Sequence, residues 1–306
     1  MVEAALPGRD LLAAAPIPGG LVNTNLALTL DRAPHRAVLR LYQRDATGAA
    51  REAAIDRMLP ADVPRARFLH VADGPPLAAH PWALLESIDG TRLDLLAANA
   101  SDTVLAQAGA AVGATLAAIH AVRFPRAGFF DAALHVADAI HFGGAGLRAY
   151  LDETVRHGRA GTRLGPDLSA RLLAYADTEA SRLDAWIGPP HLVHADFNPT
   201  NILMARRDGA WRVAAVLDWE FALSAHAFFD FGNLLRPPLG LQAAFTDALA
   251  TAYVAAAGTL PRDWRDLARV GDLFAWADLL SRPREDPELI ADGCAAVAAT
   301  VVGTTA

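Results

Sequence analysis

The sequence predicts an α+β fold in two unequal lobes, a small antiparallel sheet with one helix followed by a larger, mainly helical part. Up to Ile88 four short apolar runs read as strands, the first with Leu26, Leu28 and Leu30 on one face by period two. From Asp89 onward apolar residues recur at helical spacing, interrupted by proline breaks and one hairpin signal. The length of 306 residues is enough for two lobes that share a substantial core.

In chain order, residues 21–31 form the first expected strand, with Leu26, Leu28 and Leu30 on one face. The second, 37–43, carries Ala37-Val38-Leu39-Arg40-Leu41-Tyr42, and a helix over 48–59 carries Glu52. Strands over 66–72 and 82–88 complete the first lobe, residues 1–88. In the second lobe, residues 89–306, Ser101 is a natural N-cap for a helix reaching Val122. Leu105, Gly109, Val112, Leu116 and Ile119 form its buried stripe. Helices are expected near 132–157 and 167–186, followed by the short apolar run His191-Leu192-Val193. Ile202-Leu203-Met204 and the run from Trp211 to Leu217 read as a hairpin about Asp208-Gly209, a favoured two-residue turn. The rest is helical, broken at Pro237-Pro238, Pro261 and Pro283.

Composition narrows the chemistry. A net charge of −7 argues against a general nucleic-acid binder, which needs a basic face. All 27 basic residues are arginine, so no Walker A lysine and no lysine Schiff base is available. Cys294 is the single cysteine, so neither an intrachain disulfide nor a cysteine zinc cluster can form. The first residues lack the basic region of a signal peptide and contain Pro7, Pro16 and Pro18. The run from Ala106 to Val122 reads as too short and too weakly apolar for a membrane span. A cytoplasmic protein without a membrane or nucleic-acid partner is the expectation.

The most specific stretch is His194-Ala195-Asp196-Phe197-Asn198-Pro199-Thr200-Asn201, followed by Leu217-Asp218-Trp219-Glu220 after the hairpin. Phosphoryl transfer asks a protein for in-line positioning and neutralised phosphate charge. Asp196 suits the group that accepts the attacking hydroxyl's proton. Asn201 and Asp218 offer hard oxygen ligands for Mg²⁺. The triplet Asp230-Phe231-Gly232 spells a kinase metal-binding motif, yet it lies in an apolar stretch that begins a helix. Metal binding is therefore assigned to Asp218, at the end of a strand. Only twelve positions separate Asp218 from Asp230, too few to present a peptide substrate, so a small-molecule acceptor is favoured. Two other readings of these residues stay open, a nucleotide-binding module without turnover and a metal-dependent hydrolase built on His194, Asp196 and Asp218.

With these motifs the chain resembles the aminoglycoside phosphotransferase and choline kinase-like family, small-molecule relatives of the protein kinases. The resemblance implies a two-lobed, protein-kinase-like fold that uses ATP or GTP with Mg²⁺ to phosphorylate a hydroxyl of an aminoglycoside, amino alcohol or sugar-like acceptor. It implies that Gly20 and Asn23, within Gly19-Gly20-Leu21-Val22-Asn23-Thr24-Asn25, belong to the nucleotide loop. It likewise implies that Arg40 is the phosphate-contacting base of its strand with Glu52 its partner on the helix, that Glu86 and Ile88 form the hinge that holds adenine, and that His194 and Asp230 support the loop, Asp230 through backbone amides. Arginine at position 40 departs from the family's frequent lysine, and Ala195 stands where glycine is common. Trp264 and Trp276 fall in the last helices, where the family builds its acceptor pocket; core packing is the simpler reading of both.

Overall fold

A computed structural model of the protein describes residues 1–18, 23–73, 78–257, 260–283 and 285–302. The N-terminal lobe comprises α1 (Val2–Ala5), β1 (Leu11–Pro16), β2 (Thr24–Leu30), β3 (Arg36–Leu41), α2 (Gly48–Met58), β4 (Phe68–Ala72) and β5 (Trp82–Glu86). Its five strands form one antiparallel sheet in the order β1-β2-β3-β5-β4. Alternation sorts the side chains to two faces. Leu28, Leu30, Leu39, Trp82 and Leu84 cluster on one, while Tyr42, Ala83 and Leu85 meet Ala49 of α2 on the other. Strand β1 was not expected, because Leu-Leu-Ala-Ala-Ala lacks alternation. Every one of its residues is exposed at the sheet edge, so no buried face imposed a pattern.

The second lobe begins with β6 (Thr91–Arg92) and α3 (Leu93–Ala97), then α4 (Asp102–His120), α5 (Gly144–Arg156) and α6 (Arg159–Glu179). Strands β7 (His191–Val193), β8 (Ile202–Arg207), β9 (Ala210–Val216) and β10 (Leu223–Ala225) follow, and then helices α7 (Phe228–Leu234), α8 (Ala243–Ala257), α9 (Trp264–Ser281) and α10 (Pro287–Val302). The β8–β9 hairpin turns at Asp208 and Gly209, both at positive φ (51° and 79°), as a two-residue turn of this kind requires.

Two helical expectations need correction. The segment 132–143 is not helical, and α5 starts only at Gly144. Its backbone is committed to the chain just before it, since Ile140 donates to Ala127 and Val136 bridges to Phe130, and that chain is itself pinned where Gly128 exchanges hydrogen bonds with Ser224 of β10. Helix α6 begins at Arg159, earlier than its pattern suggests, bends at Gly165 (φ 74°) before Pro166, and tightens into a 3₁₀ turn over Ala180–Trp186.

Helix α4 is the axis of the lobe. Ser101 caps it by accepting from the Val104 amide at 3.5 Å. Gly109 and Gly113 let the backbone of α8 lie directly against it. A Cβ at these positions would stand 2.2 Å from Phe245 O and 2.3 Å from Leu249 O. By length and composition alone this 19-residue helix, with a mean hydropathy of 1.3 over its most apolar window, could cross a membrane, contrary to the sequence reading. It passes on length, because it starts at Asp102 and not at Ala106. Since 61% of that window is buried inside the lobe, its apolarity is that of a core helix.

Candidate active site

The polar loop 194–201 is held from three sides. Behind it lies Asp230 of α7, fully buried, whose carboxylate accepts from the amides of His194 (2.9 Å) and Ala195 (2.8 Å). His120 of α4 donates a third hydrogen bond to it through Nε2 at 3.0 Å, and His120 Nδ1 accepts from the Tyr253 hydroxyl at 3.0 Å. Burial, reinforced by Arg123, pushes His120 down to about 3, so the imidazole is a neutral donor. Burial raises Asp230 to about 6, against the pull of His194 and of the two amides. Without those donors a carboxylate at this depth would not ionise near neutral pH.

On a second side the His194 ring joins the loop to the end of β9. Its Nε2–H donates to Leu217 O at 2.7 Å, which leaves Nδ1 to accept from the Asp196 amide at 3.3 Å. The Leu217 amide returns a bond to Asn201 O at 2.9 Å. On the third side the loop ties itself. Asn198 Nδ2 donates to Asp196 Oδ1 at 2.8 Å, and Asn201 Nδ2 donates to Asp196 Oδ2 at 2.8 Å and to Asp196 O at 2.9 Å. Both carboxylate oxygens of Asp196 are thereby oriented, and Asn201 keeps its Oδ1 as an acceptor.

Two non-glycine residues here adopt left-handed backbone, Ala195 (φ 60°) and Asp218 (φ 58°). This conformation costs an L-residue roughly 1–2 kcal/mol. At Asp218 it turns the chain out of β9 into the 3₁₀ turn Trp219–Phe221 and directs the carboxylate toward the N-terminal lobe. There it meets Arg40 of β3, a buried guanidinium with three partners. Nε donates to Asn25 Oδ1 on the neighbouring strand (3.0 Å), Nη1 to Glu52 Oε2 (2.8 Å), and Nη2 to Asp218 Oδ1. Burial opposes its charge, but Glu52 and Asp218 together hold Arg40 above its ordinary range. Glu52 is raised by burial despite that partner, and its Oε1 and the buried Tyr42 hydroxyl have no hydrogen-bond partner among the described residues.

Asn23 donates to Glu220 Oε2 at 2.6 Å, and Arg51 Nη2 reaches Glu220 O at 3.3 Å. Burial, then Glu52 and Asp218, push Glu220 up to about 7. Glu86 ends β5; its amide donates to Arg67 O (3.0 Å) and its carboxylate accepts from the Arg67 amide (3.2 Å). Half-buried Ile88 lies in the segment linking the lobes, between Ser87 and Asp89, which are both bonded by Arg36. Gly20 lies outside the described residues. The structure thus joins Arg40, Glu52 and Asp218 directly, with Asn23 bonded to Glu220 two positions on, and with Asp196 and Asn201 on the loop bonded to the end of β9.

No three His, Cys, Asp or Glu side chains converge on a metal position among the described residues. The donors fit Mg²⁺ in another way, since that ion takes one or two protein oxygens and completes its shell with phosphate and water. Asn201 Oδ1 and the Asp218 carboxylate are oxygens of that kind, and Glu220 is a third.

A family model described as "phosphotransferase enzyme family" matches residues 13–270 of this chain. The chain belongs to the phosphotransferase enzyme family. It is a phosphotransferase with a protein-kinase-like fold. Among solved structures, a mutant of the aminoglycoside 2′-phosphotransferase-IIIa in complex with GDP superposes on this phosphotransferase with a TM-score of 0.72. The two share 16% identity, over 99% of this chain and 96% of that one. A thermostable mutant of aminoglycoside phosphotransferase APH(4)-Ia, in ternary complex with AMP-PNP and hygromycin B, gives a TM-score of 0.70 at 20% identity, over 97% and 96% of the chains. The GDP and kanamycin complex of a 2″-phosphotransferase, APH(2″)-IIIa, gives 0.70 at 17%, over 99% and 98%. A search of curated protein sequences returned no match.

Several site residues of this phosphotransferase carried no decisive sequence signal. His120 stands alone in an apolar helix, and Tyr253 and Arg51 lie 133 and 169 positions from the groups they bond. Asn198 and Glu220 were legible in principle, one inside the polar loop and the other two positions after Asp218.

Proposed function

We propose that the protein transfers the γ-phosphate of ATP or GTP, with Mg²⁺, to a hydroxyl of a small molecule. The observation that carries this reading is the doubly anchored Asp196 carboxylate on a loop whose end, Asn201, is bonded to the strand that delivers Asp218. Asp196 accepts the hydrogen bond of the attacking hydroxyl and takes its proton as the oxygen–phosphorus bond forms. The bond from the γ-phosphorus to the bridging oxygen breaks, and the nucleoside diphosphate leaves. Asn201 and Asp218, with Glu220 beside them, would hold Mg²⁺, which supplies charge neutralisation on the phosphates when bound. Arg40, set by Glu52, offers its remaining N–H groups to phosphate oxygens. Gly20 and Asn23 line the nucleotide loop, Glu86 and Ile88 the adenine hinge, and the lobes divide at Ile88 and Asp89. His194 and Asp230 keep the loop in shape.

The solved relatives support a nucleotide cofactor, since their complexes hold AMP-PNP or GDP. The test is nucleoside-diphosphate release in the presence of an acceptor. Replacing Asp196 by Asn should lower kcat by about 10²–10⁴, the usual worth of a positioned base. Calorimetry should find Mg²⁺-nucleotide affinity nearly unchanged in that variant. An Asp196→Asn enzyme with ordinary turnover would remove the proposed base.

A further inference from the structure

The wall beyond the metal segment is built from few residues. Phe221, three positions after Asp218, is 36% exposed. The Arg282 guanidinium, at the end of α9, lies 5.3 Å from its ring centroid. Arg282 Nε and Nη2 both donate to Asp278 Oδ2, at 2.9 and 2.6 Å, and the Tyr150 hydroxyl reaches Asp278 Oδ1 at 3.5 Å. Side chains of α5 and α9 therefore meet at the segment that carries Asp218.

A protein grips an ammonium group by carboxylates or by aromatic faces. Here arginine occupies both. Along α9 and its flanks, Asp263 pairs with Arg182 (2.7 Å), Asp266 with Arg269, Asp272 with Arg236 (2.7 Å), Asp278 with Arg282 (2.6 Å) and Glu285 with Arg163 (3.1 Å). The ring faces are taken in the same way. Arg236 lies 4.0 Å over Trp276 and Arg265 lies 4.6 Å over Trp264, as Arg282 lies over Phe221. Trp264 and Trp276 are buried in the core in any case, so the contact beside Asp218 decides. A cationic acceptor reaching Phe221 would have to displace the Arg282 guanidinium from both the ring and the Asp278 carboxylate.

We propose that the acceptor is an uncharged polyhydroxyl compound, a sugar or polyol, read by Phe221 and the Arg282–Asp278–Tyr150 group, and that polycationic acceptors are disfavoured. This rests on the phosphotransferase reading above. Hydroxyl groups suit the trio because each can donate to Asp278 and accept from a further N–H of Arg282, while C–H faces of the acceptor pack on the ring. The relatives solved with hygromycin B or kanamycin share the fold with this chain, and a fold does not fix the acceptor.

The test is nucleoside-diphosphate release with a panel of aldoses and polyols, a quaternary amino alcohol and an aminoglycoside. At least one uncharged acceptor should exceed both amines in kcat/KM by about tenfold or more, the range a few specific contacts supply. Arg282→Ala should raise the KM of the uncharged acceptor by about tenfold, leave the nucleotide KM unchanged, and improve the amines by freeing Asp278. Phe221→Leu, which keeps apolar packing, should raise the same acceptor KM alone. A better kcat/KM for the aminoglycoside, no turnover on any uncharged acceptor, or an acceptor KM indifferent to both substitutions would overturn the inference. Calorimetry keeps the two levels apart. Absence of Mg²⁺-nucleotide binding strikes the phosphotransferase reading itself, whereas binding with turnover confined to amines strikes only the acceptor class.

Discussion

His120 donates to Asp230, and Asp230 accepts from the two amides that precede Asp196. The loop geometry thus depends on a histidine buried behind it. His191 and His226 lie in the same region, and burial is the leading cause that lowers them to about 2 and about 4, as it lowers His120 to about 3. The sign is the same for all three. A depressed histidine binds its proton on unfolding, so its stabilisation is fully present above about 6.5 and is lost as the pH falls below it. Each contributes a slope of up to about 1.4 kcal/mol per pH unit in that window. Asp230 and Glu220, raised to about 6 and about 7, and the buried Glu52, also raised, act in the opposite sense and offset the histidines. Removing one of these offsets exposes the histidine slope: in calorimetric scans at fixed ionic strength, the melting temperature of Glu220→Gln should fall more steeply from pH 6.5 to pH 5 than that of the parent. Parallel profiles would contradict a raised Glu220. At this scale the sequence was legible where residue types and spacing were unusual, as in Asp196, Asn201 and Asp218. It was silent where a single polar group, His120, sat in an ordinary apolar helix.

Among the elements, the α4–α8 contact is the most demanding, because two backbones meet with only hydrogen atoms between them at Gly109 and Gly113. The obstacle a methyl group would meet at Gly113 is the main-chain oxygen of Leu249, not a side chain that can rotate away. Gly113→Ala should cost about 1–3 kcal/mol in chemical denaturation, outweighing its gain in helix propensity. A variant as stable as the parent would mean that α8 can move aside. The stripe that includes Gly109 was readable from its spacing, though not the reason for glycine, since nothing local names the partner helix. The same limit explains segment 132–143, whose residues would tolerate a helix. Pairing of Gly128 with Ser224, nearly a hundred positions away, takes the chain elsewhere.

Across the whole molecule the two lobes meet through Arg40 to Asp218, Asn23 to Glu220 and Arg51 to the Glu220 carbonyl. Arg40 serves Asn25, Glu52 and Asp218 in three directions, which the planar fork of a guanidinium permits and a single ammonium does not. Arg40→Lys should therefore raise the nucleotide KM by about tenfold or more rather than restore a lysine site. Arg40→Met should destabilise the fold by about 3–5 kcal/mol, because it strands the buried Glu52 carboxylate. Full nucleotide affinity in the lysine variant would show that the charge alone suffices. That a sheet-rich part precedes a mainly helical one was legible from the change of hydrophobic period along the chain. The contacts that join the lobes were not, because Asn23 and Glu220 lie 197 positions apart and no periodicity connects them.

The left-handed backbone at Ala195 and Asp218 bears on transplantation. Neither residue would choose that conformation in a free peptide, and neither is glycine. The buried Asp230 that receives the amides of His194 and Ala195, and the Leu217 carbonyl that receives the His194 ring, impose it from outside. The segment from His194 to Asp218 is therefore not a portable module. Excised or grafted onto another hairpin without an α7-like carboxylate beneath it, it would relax and carry its aspartates out of alignment.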